Sequence, residues 1–388
     1  MEKKQRVVII GANEFQLPLI RKASERGFET HVFAWEKGAV GKEEADYFYP
    51  VSITEKETIL EYCRRIKPEA AATIGSDLAE VTVNYLTNHL GLPGNPPETA
   101  VFAVNKYIMR KKLREAGLYT PRFIEAGSFA EAEEKGLGSF PLPFIIKPVD
   151  RSGSRGINRI DDYGQAEAAF REACGHSFEK KAIAEEYMEG AEYSCEGISS
   201  EGSHYLLQVT KKYTTGSPHF IETAHIEPCG LSGEMLEKVR ETVFRVLDAL
   251  HIRNGASHTE LRISGDGEIR LIETGARMGG DCIGSDLVPL TTGYDYVGMV
   301  LDTAFGRMPD FTVSPHRAAA GIRFIMNRRD LEYFESLQKK APEAIVRSFI
   351  EERDLSAVPG DSGSRHGFFL IAGDDTEEVR RMIENSGI

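Results

Sequence analysis

The stretch Gly255–Asp281, GASHTELRISGDGEIRLIETGARMGGD, sets the terms on which the rest of the chain is read. Two apolar-alternating runs flank Asp266-Gly267. Asp-Gly between such runs is among the strongest short-range hairpin signals and favours a type I′ turn. With Asp266 and Gly267 as a two-residue loop, Gly265 pairs with Glu268, and counting outward sets Glu260 directly opposite Glu273. Opposed residues of an antiparallel pair hold their Cβ atoms about 4.5–5.5 Å apart on one face. Two carboxylates so placed repel each other, and a hard divalent cation between them reverses that sign. Magnesium suits the pair, because it takes one or two carboxylates together with phosphate oxygens. The plainer alternative is a solvated acidic face, with Leu261 and Ile263 buried on the other side in either case. A slip of one residue in the loop would move Glu260 off its partner.

Working outward, Gly275, Gly279 and Gly280 surround Arg277. Glycines let backbone approach a ligand closely, and an arginine four residues past a metal carboxylate can stabilise charge that develops in a phosphoryl or acyl transfer. Further upstream, the apolar run Phe144-Ile145-Ile146 ends in Lys147-Pro148 and leads into Asp150-Arg151-Ser152-Gly153-Ser154-Arg155-Gly156. Small residues and glycines in a turn expose backbone N–H groups that can cradle phosphates, and Lys147 offers a point charge beside them.

The framework around these segments is alternating. Arg6–Ile10, Thr30–Phe33 and Ala70–Ile74 read as strands; Phe15–Arg26, Thr54–Ile66 and Leu78–Leu90 read as helices. Strands alternating with helices imply a parallel, doubly wound sheet. The first strand runs into Gly11-Ala12-Asn13-Glu14-Phe15-Gln16, which lacks the later glycines of a dinucleotide fingerprint. Leu92-Pro93-Gly94-Asn95-Pro96-Pro97 marks a linker, and a single helix is expected from about Glu98 to Ala116, closed by Gly117. The expected division is therefore a Rossmann-like unit over 1–97, a mixed region of strands, hairpins and helices over 98–305, and a small α+β unit over 306–388 with strands Ala318–Met326, Ala344–Ile350 and Gly367–Ala372.

Composition narrows the class. The 388 residues are 41% hydrophobic and 28% charged, with a formal net charge of −13. That charge argues against nucleic acid or an anionic membrane as the main partner. The N-terminus runs straight into Val7–Ile10 without the long apolar region of a signal peptide, and no apolar run approaches the roughly 20 residues of a membrane span. The five cysteines are widely spaced and form no CxxC pair, which reads as reduced thiols in a cytosolic protein.

Taken in order, these segments resemble the ATP-grasp ligase superfamily, and Glu273-x-Gly-x-Arg277 is closest to the amino-acid (dipeptide) ligase branch. The superfamily more often carries asparagine where this chain has Gly275, so one metal is expected rather than two. The resemblance spans about residues 1–305 and implies a two-lobed ATP-grasp domain over 98–305, with the last unit completing it. It implies that Lys106, in Asn105-Lys106-Tyr107, is the first nucleotide lysine. Lys147 follows as the second, and Gly153, Ser154 and Gly156 belong to the phosphate-covering loop. Ala182–Tyr193 would be the adenine hinge, with Glu185, Glu186 and Met188 at the purine and Glu192 at the ribose.

Glu260 and Glu273 would hold Mg2+, or Mn2+, and Arg277 would be catalytic. His225, in the polar stretch Lys211–Pro228, would meet the substrate or intermediate, and Asp281 the amine. Ser76, Asp77 and His258 are further candidates. The activity implied is ATP-dependent joining of a small-molecule carboxylate to an amine through an acyl phosphate, in a chain for which a homodimer is allowed. Two alternatives stay open: a bicarbonate-using carboxylase of the same superfamily, and a nucleotide-binding protein without turnover.

Overall fold

The computed structural model describes residues 4–351 and 354–384; residues 1–3, on which part of the N-terminal reading rests, lie outside it. Alternation along Arg6–Ile10 organises the first sheet. Val7 and Ile9 enter a core with the helices Leu17–Glu25 and Tyr296–Ala304, while Val8 and Ile10 enter another with Lys56–Ile66 and Asp77–Leu90. Burial on both faces is what a parallel sheet requires. The sheet is parallel throughout, in the order Tyr47–Tyr49, Glu29–Phe33, Arg6–Ile10, Ala70–Ala72. Its edge strand Tyr47–Tyr49 was not expected: it is only three residues long and carries no period to read.

Two further sheets hold the rest. One has four antiparallel strands in the order Phe123–Ala126, Ala182–Glu186, Phe144–Pro148, Asn158–Ile160. The other has eight, running Ile269–Gly275, Gly255–Ile263, Ala191–Ser200, Ser203–Thr214, Glu222–Glu227, Ala319–Phe324, Gly367–Gly373, Ile345–Ile350. The last three strands of the chain thus extend the same sheet that carries the acidic hairpin. Helix Gly233–Ala249 covers one face through Val239, Val243, Val246 and Leu247, packed on Tyr193, Cys195, Val209, Leu261 and Ile263. The opposite face of these strands is polar. Among the described residues no helix is long and apolar enough to cross a membrane.

One expected helix is two. Thr99–Val104 and Lys106–Glu115 are separated by Asn105, which is extended at φ −83°, ψ 106° and caps the second helix by accepting from the Ile108 amide at 3.0 Å. The break lets the Lys106 amide donate to the Val149 carbonyl at 2.8 Å. A continuous helix would have spent that amide internally. The break therefore ties Lys106 to the end of the lysine strand.

The eight-stranded sheet also buries an acid that the expected chemistry does not use. Glu227 is fully buried and accepts hydrogen bonds from the Thr210 hydroxyl at 2.7 Å and the Thr291 hydroxyl at 2.6 Å. Burial pushes its pKa up from 4.5 to about 8. The folded state therefore holds this proton more tightly than the unfolded chain. The stability it contributes is complete below pH 4.5 and is lost as pH rises towards 8. Glu227→Gln cannot ionise, so its melting temperature should gain on the wild type progressively between those limits. A pH-independent difference in calorimetric scans would contradict the assignment.

Candidate active site

The hairpin brings Glu260 opposite Glu273, although not by the expected turn. Ser264 donates to the Glu268 carbonyl at 3.1 Å and Gly267 to the Ser264 carbonyl at 2.9 Å, with Gly267 at φ +83°. The loop is thus the three residues Gly265-Asp266-Gly267, a turn ended by a left-handed glycine. Ile263 pairs with Ile269 and Leu261 with Leu271, one residue out of the two-residue-loop count. A bulge at Ile272 absorbs the difference, and Glu260 then faces Glu273. Bulges re-aim side chains in this way.

Strand alternation sends His258, Glu260 and Arg262 to one face, and the neighbouring strand answers with Glu196 opposite His258 and Glu192 opposite Arg262. His258 lies between Glu196 on Nδ1 and Glu260, 3.2 Å from Nε2. Burial works against its charge, but Glu196 and Glu260 outweigh it and raise its pKa to about 9. Arg262 grips Glu192 at 3.0 Å, donates to the Met188 carbonyl at 2.9 Å and lies over the rings of Tyr187 and Phe220. Lys212, 3% exposed, bonds Glu260 and stands 3.7 Å from Glu222 and 3.8 Å from Glu192. Burial disfavours its charge, yet the three carboxylates hold it protonated; Glu260 in turn stays well below the usual carboxylate range despite burial.

The four-stranded sheet supplies the facing wall. Lys147 bonds Glu185, which also receives Arg110 at 3.0 Å. Burial raises the Glu185 pKa, but the two cations overcome it and bring it to about 2. Lys106 reaches Glu273 at 2.8 Å and the Arg151 carbonyl at 2.7 Å. Glu186 accepts from the Arg122 amide at 3.1 Å. Gly153 and Ser154, both at positive φ, line the space between the sheets. Gly156 does not line it: at φ +68° its Cα is packed where a Cβ would lie 2.9 Å from His176, so it shapes the turn from behind.

At the far end, Arg277 makes a two-pronged pair with Asp77, at 2.8 and 2.9 Å. Asp77 is the first residue of its helix, and Ser76 is the cap, accepting from the Ala79 amide. This pair explains the glycine at 275: a Cβ there would lie 2.7 Å from Asp77 Oδ1. His225 is fully buried and lies 3.6 Å from Asp281, which is held bidentately by Arg365.

One cavity of about 240 Å3 gathers all of the expected residues except Gly156 and Ser76. Among the described residues no cluster of three or more His, Cys, Asp or Glu side chains offers a complete metal cage. Two opposed, cavity-facing carboxylates alone fit a cation that takes its remaining ligands from phosphate and water, which is the habit of Mg2+ and is open to Mn2+. Four important groups had escaped the sequence reading: Arg110, Glu196, Arg262 and Arg365. Arg110 was findable, since Lys106, Met109, Arg110 and Leu113 form the buried stripe of their helix. Arg262 and Glu196 were findable by counting in twos from Glu260 and Glu192. Arg365 left no local signal.

Residues 140–286 match the family model described as "ATP-grasp domain". The chain carries an ATP-grasp domain. Across 98% of both chains it superposes on the crystal structure of L-amino acid ligase from Bacillus licheniformis, with a TM-score of 0.82 and 25% identity. Among curated sequences it is 25% identical over 336 residues to the uncharacterized protein y4rH of Sinorhizobium fredii, covering 82% of this chain and 66% of that one. It is 28% identical over 269 residues to alanine–anticapsin ligase of Bacillus subtilis, covering 62% of this chain and 55% of that one. The alignments thus span only about half to two thirds of those curated relatives.

The packing at Gly275 is testable. Gly275→Asn must displace Asp77, which should destabilise the fold by about 1–3 kcal/mol and release Arg277. In an Asp77→Ala background the same substitution should cost clearly less, as read from denaturant unfolding of the four members of the cycle. Additive effects would mean that Asp77 does not set the glycine.

Proposed function

We propose that this chain is an ATP-dependent carboxylate–amine ligase acting on amino-acid substrates through an acyl phosphate. The observation that carries the reading is the convergence of Glu260, Glu273, Lys106, Lys147 and Arg277 on one cavity between two sheets. In this reading the purine edge meets backbone of the Glu185–Met188 stretch, with Met188 on its face and Glu192 at the ribose. Glu260 and Glu273 hold Mg2+, which when bound supplies charge neutralisation to the phosphates. Lys106 and Lys147 already stand at carboxylates in the cavity and can turn to phosphate oxygens. Such donors stabilise charge as it develops during transfer.

A substrate carboxylate attacks the γ-phosphate, ADP departs, and an amine displaces phosphate from the acyl phosphate to leave an amide. The loop containing Gly153 and Ser154 lies over this space, where it can exclude water that would hydrolyse the intermediate. The amino-acid substrate class is supported by the named activities of the similar ligases and by the Glu-x-Gly-x-Arg pattern.

The direct test is magnesium-dependent phosphate release from ATP with paired amino acids. Release should require both an acid and an amine, and Glu273→Gln should lower turnover by about 100-fold or more, corresponding to about 2.7 kcal/mol or more of lost transition-state stabilisation. Full turnover in Glu273→Gln would remove its metal role. Release driven by bicarbonate and indifferent to amino acids would replace the ligase reading with a carboxylase.

A further inference from the structure

An acyl phosphate is attacked only by a neutral amine, whereas an α-amine arrives at neutral pH mostly as its ammonium. A ligase of this kind therefore needs a group to take a proton beside the acyl carbon. The cavity's lysines are committed to carboxylates: Lys106 to Glu273, Lys147 to Glu185 and Lys212 to Glu260. Its two histidines are in opposite states. His258 is held protonated between Glu196 and Glu260. His225 is fully buried, and neither ring nitrogen has a hydrogen-bond partner among the described residues. A buried imidazole without partners is costly, since each unmet polar atom keeps its desolvation penalty. The residue lines the cavity, but neither nitrogen is exposed in this structure, so an entering substrate has to displace its neighbours to reach it.

Its surroundings give it direction. Nε2 faces Asp281 Oδ2 at 3.6 Å, just beyond a hydrogen bond. Asp281 cannot turn away, because Arg365 holds both its oxygens and Arg365 itself is anchored by donating to the Ser362 carbonyl at 2.7 Å. Asp281 sits at φ +52° and its neighbour Cys282 at φ +60°, a backbone shape that this clamp helps to maintain. With the Nε2 proton directed at Asp281, Nδ1 carries the free lone pair. The charged and titratable groups around the ring are Lys212 on the paired strand, Glu222 and Glu227 on its own strand, Asp281 and Cys282 on the turn, and Arg365 from the C-terminal segment. Apo sites commonly show catalytic contacts that are slightly long and close on substrate.

We infer that His225 is the general base that deprotonates the incoming amine, with Asp281 and Arg365 as the positioning residues that orient it. This rests on the ligase reading above. The ammonium gives one proton to His225 Nδ1. The freed nitrogen pair forms the C–N bond to the acyl carbon, and the C–O bond to the phosphoryl group breaks with its electrons. The leaving phosphate takes the second N–H proton, giving hydrogen phosphate and the amide. The imidazolium then returns its proton to solvent. Burial lowers the His225 pKa, with Asp281 partly opposing, so the ring is neutral and competent at pH 7. Through Arg365, the C-terminal segment completes the amine end of a site whose nucleotide end lies elsewhere.

Hydroxylamine separates the two readings, because it is mostly uncharged at neutral pH and needs no base. The amino-acid pair that releases phosphate fastest with the wild-type chain is assayed beside the same carboxylate with hydroxylamine. In His225→Gln the ratio of amide to hydroxamate should fall about 100-fold. Asp281→Asn removes the carboxylate that supports the imidazolium. The acid limb of its amide pH–rate profile should therefore move to lower pH, a shift that a merely structural role would not produce, and Arg365→Lys should lower the same product ratio with a smaller effect. An unchanged ratio in His225→Gln, whether both products survive or both are lost, overturns the base assignment. Absence of hydroxamate from every amino acid with the wild-type chain overturns the ligase reading instead.

Discussion

Eight carboxylates and six lysines and arginines line a single cavity, and the requirement that buried charges be paired governs how the surrounding elements meet. Removing one partner of such a pair costs about 3–5 kcal/mol, because the other charge stays buried and unmatched. Each main pairing therefore acts as a joint between distant parts of the chain. Arg277 with Asp77 joins the acidic hairpin to the N-terminal sheet. Arg110 and Lys147 with Glu185 join a helix to the four-stranded sheet. Arg365 with Asp281 joins the C-terminal segment to the turn after the hairpin. The cavity's electrostatics and the docking of its walls are one problem with one solution.

That solution explains Gly275 and Gly279 better than ligand approach alone does, whereas Gly280 has room for a Cβ and lines the cavity. Besides the clash at 275, a Cβ on Gly279 would lie within 2.7 Å of His258 Nδ1 and closer still to the Glu196 carboxylate. Here the backbone passes directly beside buried ion pairs and has no room for a side chain. The departure from the superfamily's asparagine at 275 is thus a consequence of how this chain seats Asp77 against Arg277. It alters the shape of the site without removing either of the opposed carboxylates.

The C-terminal strands show how an apparently separate unit becomes part of a site. Ala319–Phe324 pairs with Glu222–Glu227, so the sheet that carries Glu260 continues without interruption into the last third of the chain. The loop before Gly367–Gly373 then returns over the cavity. Ser362 donates from its hydroxyl to Glu222, its amide reaches the Gly153 carbonyl at 3.3 Å, and Arg155 approaches Asp361 at 3.5 Å. The same loop touches the Gly153–Ser154 turn and, through Arg365, the Asp281–His225 end of the cavity.

The sequence by itself determined what depends on local period and turn chemistry. It specified the parallel arrangement of the first sheet through strand–helix alternation, the hairpin at Asp266-Gly267, and the inward face of Leu261 and Ile263. The opposition of Glu260 and Glu273 was reached by a two-residue-loop count that the turn does not obey; the bulge at Ile272, which alternation cannot announce, is what sets the two carboxylates opposite each other. Only the tertiary structure decided which charges meet. Asp77 and Arg277 are 200 residues apart and Asp281 and Arg365 are 84 apart, and no spacing rule connects them. It likewise decided that Asn105 breaks its helix, since the amide of Lys106 is claimed by Val149, in the turn just past the strand Phe144–Pro148. Periodicity says which way a side chain points; what it finds there is set by elements packed from elsewhere in the chain.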